Sequence, residues 1–466
     1  MSGEVARRAL LAAVLALFVG AAPASAAEER VSVRYGPITL GPYQVKRGDQ
    51  VFNVPKPNID GSITSMSARL VYGDGREVPI ANTMLHHVVF ADLGMHIGEH
   101  KDPTCERFQM FDSQSFLPLY GHRFYGIGEE RHRLDLPPGY GYPTRAADRW
   151  GMTYMLMNHL PRAETVNVEY TMTIETEREL QPVTPIWFDV RDCKLDPIFN
   201  VPGGGRPGSK YTTTTTWQAP SGGRLVFGMG HLHGGGKVLR LTRPDCGDRL
   251  VFKSRPLWGG RNHPYYSVRP LLHEPGPISM TSFQSGQGIP VAAGERLKLT
   301  AVYDAQRPHV RVMGILAVGF VPDAGVTQRC APEPTDMREY WTERGGRKRE
   351  PRVHVPISAW SAGAPRARVI TRPPGATVQL RRGGRIDVAD TAFEPANVAL
   401  ARPGSLRWRF FDDELHNVTL ANGPRGFSSD NLSRGREFSY RFRRPGTYRL
   451  FCTLHPLMTS TVRVER

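Results

Sequence analysis

The chain has 466 residues, 40% of them apolar and 22% charged, which allows about three domains with packed cores and is too apolar for disorder throughout. Its 48 Gly and 39 Pro exclude a long helical bundle or coiled coil and favour short strands joined by turns. The formal charge of +16 is carried without a compact basic helix interleaved with aromatics, so nucleic acid is not an expected partner.

Residues 1–26 read as a secretory leader. Arg7 and Arg8 precede an apolar run, Ala9 to Ala22, and Ala24-Ser25-Ala26 offers a small-residue cleavage site with the cut expected after Ala26. No later stretch reaches the ~18 apolar residues of a membrane span, so an exported protein without a span is expected. Residues 27–180 then read as a first β-sandwich, with strands at Met84–Phe90, Thr153–Met157 and Val166–Ile174. Residues 181–328 read as a second, with strands at Leu225–Met229, Lys237–Leu241, Arg296–Tyr303 and Val310–Val321. The threonine run Thr212–Thr216 fits either an edge strand or a loop. Residues 329–375, rich in Arg, Pro and Gly, read as a linker. Strand patterning returns over 376–466, at Arg385–Val388, Ser405–Phe410, Asn417–Leu420, Glu437–Phe442 and Gly446–Phe451, which predicts a third, smaller sandwich. The fold class expected is therefore all-β.

Cys452 lies among metal-ligand residue types, which leaves Cys105, Cys193, Cys246 and Cys330 for disulfides in an exported chain. Three connectivities are open; Cys193–Cys330, which brackets the second sandwich, is the favoured pair.

The strongest chemical signal is Cys452-Thr453-Leu454-His455-Pro456-Leu457-Met458, with His416 upstream. A thiolate, two imidazoles and a thioether form a set suited to copper in electron transfer. Three of the four sit on one short loop, and His416 ties that loop to the rest of the sandwich. These residues resemble the cupredoxins, most closely the plastocyanin and amicyanin group, whose His-Asn-Val segment matches His416 to Val418 and whose Cys-x2-His-x2-Met loop matches Cys452, His455 and Met458. The resemblance implies a Greek-key sandwich and a blue-copper centre at His416, Cys452, His455 and Met458. The sequon Asn417-Val418-Thr419 overlaps that motif and reads as coincidence.

Three histidine groups precede the linker. His231 and His233, two apart on a strand, point to one face. His86 and His87 are adjacent, so both reach one point only at a bulge or strand end. His159 ends another strand, and Met313 lies on a later one. This order resembles the two-copper monooxygenases, the peptidylglycine α-hydroxylating and dopamine β-monooxygenase family, and the plant stress-up-regulated nodulins. The resemblance implies two jelly-roll-like sandwiches, a first copper held by His86, His87 and His159, and a second held by His231, His233 and Met313. No catalytic residue beyond these ligands is assigned. The combination implies oxygen and an organic substrate at the copper of His231, His233 and Met313, with the copper of His86, His87 and His159 as an electron relay. Electrons would come from a redox partner or a small-molecule reductant through the cupredoxin. The alternative is a copper-binding or electron-transfer envelope protein, stress-related and without enzymatic activity.

Overall fold

The computed structural model describes residues 28–96, 99–105, 109–111, 118–191, 197–260, 262–268, 271–351, 358–359, 368–369 and 373–466. The expected leader and Cys193 lie outside them. Strands dominate; among the described residues helix is confined to Pro264–Ser267 and a 3-10 turn at Pro244–Cys246. No helix among these residues is long and apolar enough to cross a membrane.

The first two sheets lie within residues 28–182. One orders Glu28–Leu40, Glu164–Glu175, Gly61–Val71, Tyr140–Thr144 and Gln181–Pro182, with Leu134–Asp135 also on Gly61–Val71. The other orders Val45–Val54, Arg149–Asn158, Thr83–Gly94 and His122–Gly128. Along Glu164–Glu175 the alternate residues Val166, Val168, Tyr170, Met172 and Ile174 are all buried, the two-residue period of a strand with one face on a core. The next pair of sheets repeats the plan. Thr184–Asp189, Gly314–Pro322, Gly223–Leu232, Ser282–Val291 and Arg338–Tyr340 form one; Lys210–Gln218, Arg296–Asp304, Gly236–Arg243 and Arg249–Ser254 form the other. The threonine run is thus a strand, placed at a sheet edge where β-branched side chains tolerate solvent.

Three features differ from the sequence reading. Val310–Val321 is two strands, His309–Val312 and Gly314–Pro322, because Arg311 takes a left-handed backbone (φ 55°) and turns the chain just before Met313. Part of the expected linker lies on the second sandwich: Arg338–Tyr340 pairs with Ser282–Gln284, and Arg347 bridges to Trp258. Cys330 is bonded to Cys246, which overturns the favoured Cys193–Cys330 pair. The reason is local: Arg249, just beyond the turn that carries Cys246, donates to the carbonyls of Cys330 and Ala331 and holds that segment against the turn. Cys105 is disulfide-bonded as well.

The third pair of sheets spans residues 377–464. Thr377–Leu380, Asn397–Leu400, Thr459–Val464, Gly446–Phe451 and Thr419–Asn422 face Ala392–Glu394, Gly383–Ala389, Gly404–Phe410 and Glu437–Phe442 across a core that includes Trp408, Phe442, Tyr448 and Cys452.

The cores do not respect sandwich boundaries. Phe90 and Trp150 of the first belong to one apolar cluster with Trp187, Met229, Met313 and Ile315 of the second. A further cluster joins Met155 and Met157 to Trp258, Tyr265 and Leu272. Val310 packs against the core of the third sandwich.

Candidate metal centres

In the third sandwich the loop after Gly446–Phe451 closes on itself: the Cys452 N–H donates to the Met458 carbonyl (3.0 Å) and the Met458 N–H to the His455 carbonyl (2.8 Å). His416 comes from the neighbouring chain segment, paired with Leu432. The Nδ1 atoms of His416 and His455 are 3.1 Å apart, and Cys452 Sγ is 3.7 Å from His455 Nδ1. Behind His416, Asp412 sits 2.8 Å from Nε2, which leaves Nδ1 to face the thiol. Burial raises the Cys452 thiol pKa, opposed by backbone N–H groups; the Asn417 N–H lies 3.4 Å from the sulfur. Burial also lowers the His455 pKa, reinforced by His416. Met458 is buried in the same core. Asn417 is itself wholly buried and bonded to Thr453 and Asn431, so the overlapping sequon cannot accept a glycan in this fold.

The N-terminal histidines meet where the first two sandwiches pack. Opposite Arg149–Asn158 the register of Thr83–Gly94 slips at His86, since His87 faces Met155 while Leu85 faces Leu156. That bulge is what the adjacent pair requires, and the two Nδ1 atoms lie 3.0 Å apart. His231 and His233, two apart near the end of Gly223–Leu232, bring their Nε2 atoms to 3.0 Å. The two pairs are neighbours: the rings of His86 and His233 are 5.3 Å apart. Met313 lines two cavities here, one of about 300 Å³ shared with His86, His87 and His233, and one of about 80 Å³ shared with His87 and His231. Tyr303 ties the set together, accepting from the His233 N–H and donating to the Met313 carbonyl. His159 lines neither of these cavities and is not grouped with His86 and His87; it is buried, and neither ring nitrogen has a hydrogen-bond partner among the described residues.

Residues that pattern reading missed complete the cluster. His273 stacks edge-on to His86 at 5.0 Å, and Glu129 accepts from His273 while lying 3.4 Å from His86 Nε2. Glu130 sits 3.0 Å from His231 Nδ1. Gly128 makes that pair possible, because a β-carbon there would stand 2.8 Å from the His231 ring. Burial, reinforced by the surrounding imidazoles, pushes the pKa of His86 and of His233 well below the usual value. Burial and His273 drop His159 to about 3. His231 goes the other way: burial opposes its charge, but Glu130 outweighs it and raises the pKa.

The donor sets fit a soft or borderline metal ion. Imidazole nitrogens face each other at 3.0–3.1 Å, with carboxylates beside the outer nitrogens of His86, His231 and His416. An ion between them satisfies nitrogens that otherwise oppose one another. Two further groupings of donors do not fit. Cys246 and Cys330, beside Glu295, are spent in their disulfide, and the carboxylates of Asp92 and Asp148 near His100 already face Lys56 and Arg145.

No protein-family model matches the chain. It is 26% identical over 321 residues to the probable copper-dependent oxygenase M1 of Phoma sp., covering 65% of this chain and 74% of that one. A second probable copper-dependent oxygenase, from Cochliobolus lunatus, is 26% identical over 274 residues, 56% of this chain and 76% of that one. Amicyanin-alpha of Methylorubrum extorquens is 31% identical over 112 residues, 23% of this chain and 87% of the amicyanin. Among solved structures, an oxidized amicyanin mutant aligns over 17% of this chain and 80% of its own at 24% identity, with a TM-score of 0.17. The chain is a copper oxygenase-like region fused to a cupredoxin, and through that cupredoxin module it belongs to the amicyanin family.

Proposed function

We propose that the chain is an exported copper oxidoreductase in which the cupredoxin module passes electrons to an oxygen-using centre built from the N-terminal histidines. The observation that carries this reading is a shared cavity. The 300 Å³ space lined by His86, His87, His233 and Met313 is closed on another side by Phe451 and Thr453, the residues flanking Cys452. An electron carrier and a candidate oxygen site therefore wall the same space.

His416, Cys452, His455 and Met458 would hold one copper; His86, His87 and His159 a second; His231, His233 and Met313 a third. His273 and Glu129 support the second set and Glu130 the third. Copper so held supplies one-electron redox chemistry and oxygen activation. The protein's own contribution is orientation. Glu130 holds His231 by Nδ1 and leaves Nε2 toward His233. Asp412 does the same for His416 from the Nε2 side. Burial keeps His86 and His233 neutral, the form in which an imidazole donates to a metal. Val45, Met155, Met157 and Leu272 line the cavity with apolar surface that would seat an aliphatic part of a substrate and exclude water. His455, with 28% of its side chain exposed, is where an outside reductant reaches the cupredoxin.

The test is metal content with optical and paramagnetic resonance spectra, on wild type and Cys452→Ser, followed by oxygen uptake with a reductant. The expectation is three coppers per chain. Cys452→Ser should lose the intense visible band and one copper, and His233→Ala should abolish oxygen uptake. Fully loaded protein that consumes no oxygen above the His233→Ala control, across a broad substrate panel, would reduce the chain to a copper-binding electron carrier.

A further inference from the structure

The third sandwich meets the second at a polar knot centred on Arg311, beside a backbone bond from the Gly426 N–H to the Pro202 carbonyl (2.8 Å). This residue lies two positions before Met313 and holds a left-handed backbone (φ 55°), a conformation costly for any residue with a β-carbon and kept only where the surroundings enforce it. Asn200 enforces it: its Oδ1 accepts the Arg311 N–H at 3.1 Å, and its Nδ2 donates to the Ser428 carbonyl of the third sandwich at 3.4 Å. The guanidinium then crosses the boundary. Nη1 donates to Ser428 Oγ (3.3 Å) and the Ser429 carbonyl (3.1 Å), and Nη2 donates to Asn431 Oδ1 (3.2 Å). Asn431 Oδ1 also accepts from Asn417 Nδ2 at 3.0 Å, and the Asn417 backbone N–H points at Cys452 Sγ at 3.4 Å.

We propose that Asn417, Asn431 and Arg311 form the electron route from the cupredoxin sulfur to the Met313 side of the histidine cavity. This deepens the functional reading above and rests on it. The route runs from Cys452 Sγ through the Asn417 N–H, along the Asn417 side chain to Asn431 Oδ1, across to Arg311, and by two peptide bonds to Met313. Electronic coupling decays more slowly along covalent and hydrogen bonds than across empty space. A side chain that links the two modules through bonds this way is therefore placed for transfer. One electron moves per event: the thiolate-held copper is oxidised by one unit and the imidazole-held copper reduced by one. No covalent bond changes, and an external one-electron reductant of the ascorbate class refills the donor. Asn431 and Arg311 are not among the proposed ligands; their part is to link the two modules.

The experiment uses the full copper-loaded chain, with the cupredoxin reduced by a light pulse through a photochemical donor and its visible band followed as the electron leaves. In wild type the band should recover at a rate independent of protein concentration. Arg311→Met and Asn431→Leu should each slow that recovery by an order of magnitude, with the copper content unchanged and the rates compared at the potential measured for each variant. Ser428→Ala removes a neighbouring Arg311 contact but leaves the route intact, and its rate should stay close to wild type. The route is overturned if Arg311→Met and Asn431→Leu recover at the wild-type rate, or if Ser428→Ala slows as much as Asn431→Leu, which would make the knot mere docking. A wild-type cupredoxin that never gives up its electron within the chain overturns the functional reading itself, and the route with it.

Discussion

The two candidate metal regions share imidazole and thioether donors, with a thiolate only in the cupredoxin, and are assembled at different scales. In the cupredoxin, Cys452, His455 and Met458 share one loop, and only His416 comes from elsewhere in the same sandwich. In the N-terminal region, His86 and His87 belong to one sandwich and His231, His233 and Met313 to the next, with His273 supplied by a loop between strands of the second. The first centre is a property of one small core; in the second each proposed ligand set lies within one sandwich, but His273 reaches His86 and Glu130 reaches His231 from the other, so the cluster as a whole needs the two sandwiches docked. A site built across an interface inherits the stability of that interface, and it also gains a cavity where the two faces do not quite meet.

The largest way to break this contrast is to loosen the docking. Asp102 and Arg123 form a buried ion pair at 2.6 Å. Asp102 also accepts the Thr104 and Cys105 N–H groups, Thr104 Oγ1 accepts the Trp187 N–H, and Arg123 lies 5.1 Å from the Trp187 ring centre. One knot thus stitches the first sandwich to Trp187 of the second. Asp102→Asn takes one charge away from the buried guanidinium, which should cost up to about 3–5 kcal/mol and lower the melting of the N-terminal region by up to roughly 10 °C. The visible band of the cupredoxin should melt where it does in wild type. Calorimetry, read beside that band, checks both halves; a matched drop in the two would mean the regions unfold as one. The pair also sets an acid limit. Burial raises the Asp102 pKa, but Arg123 outweighs it and the net shift is downward. A depressed carboxylate contributes stability above its unfolded value of about 3.9 and loses it as pH falls through the folded value. Wild type should therefore lose N-terminal stability below about pH 4 more steeply than Asp102→Asn does.

The same difference of scale decides what could be read from sequence. The Cys452-to-Met458 spacing was legible because a single loop fixes it, and the His231/His233 pair because strands have a period of two. The adjacent His86 and His87 demanded a bulge, and the register slips there. Glu129, Glu130 and His273 carried no such signal. Their approach to the imidazoles is set by packing between sandwiches, and carboxylates are common enough that position along the chain says nothing. The disulfide failed for a related reason: Cys246 and Cys330 are joined by the fold around Arg249, not by bracketing a domain. The break in Val310–Val321 was hidden because Arg311 is not a glycine, so no residue type announced the left-handed turn.

A finer test touches the carboxylates behind the imidazoles. Glu130 is buried, with His231 Nδ1 at 3.0 Å and His132 Nε2 at 3.9 Å. Burial raises its pKa, but His231 more than reverses this, so it is held as an anion. Glu130→Gln removes the charge that orients His231 and should weaken metal binding at the His231/His233 set by about 10–100-fold. Competition against a chelator of known affinity measures this, with the cupredoxin's visible band as the internal control that should not move.

Asp412 is the cupredoxin's counterpart of Glu130, and its replacement should do least. It holds His416 Nε2 at 2.8 Å, but its side chain is 22% exposed, while that of Glu130 is 2% exposed. Water can take over a hydrogen bond at that position, and His416 is also fixed by its backbone pairing with Leu432. Asp412→Asn should therefore cost no more than about tenfold in copper affinity and keep the visible band, the low end of what an outer carboxylate contributes. If Asp412→Asn instead emptied the site while Glu130→Gln left the histidine cluster loaded, the order of the two regions would be reversed. The loop-built centre would then be the one that depends on its surroundings, and the interface-built centre the self-sufficient one.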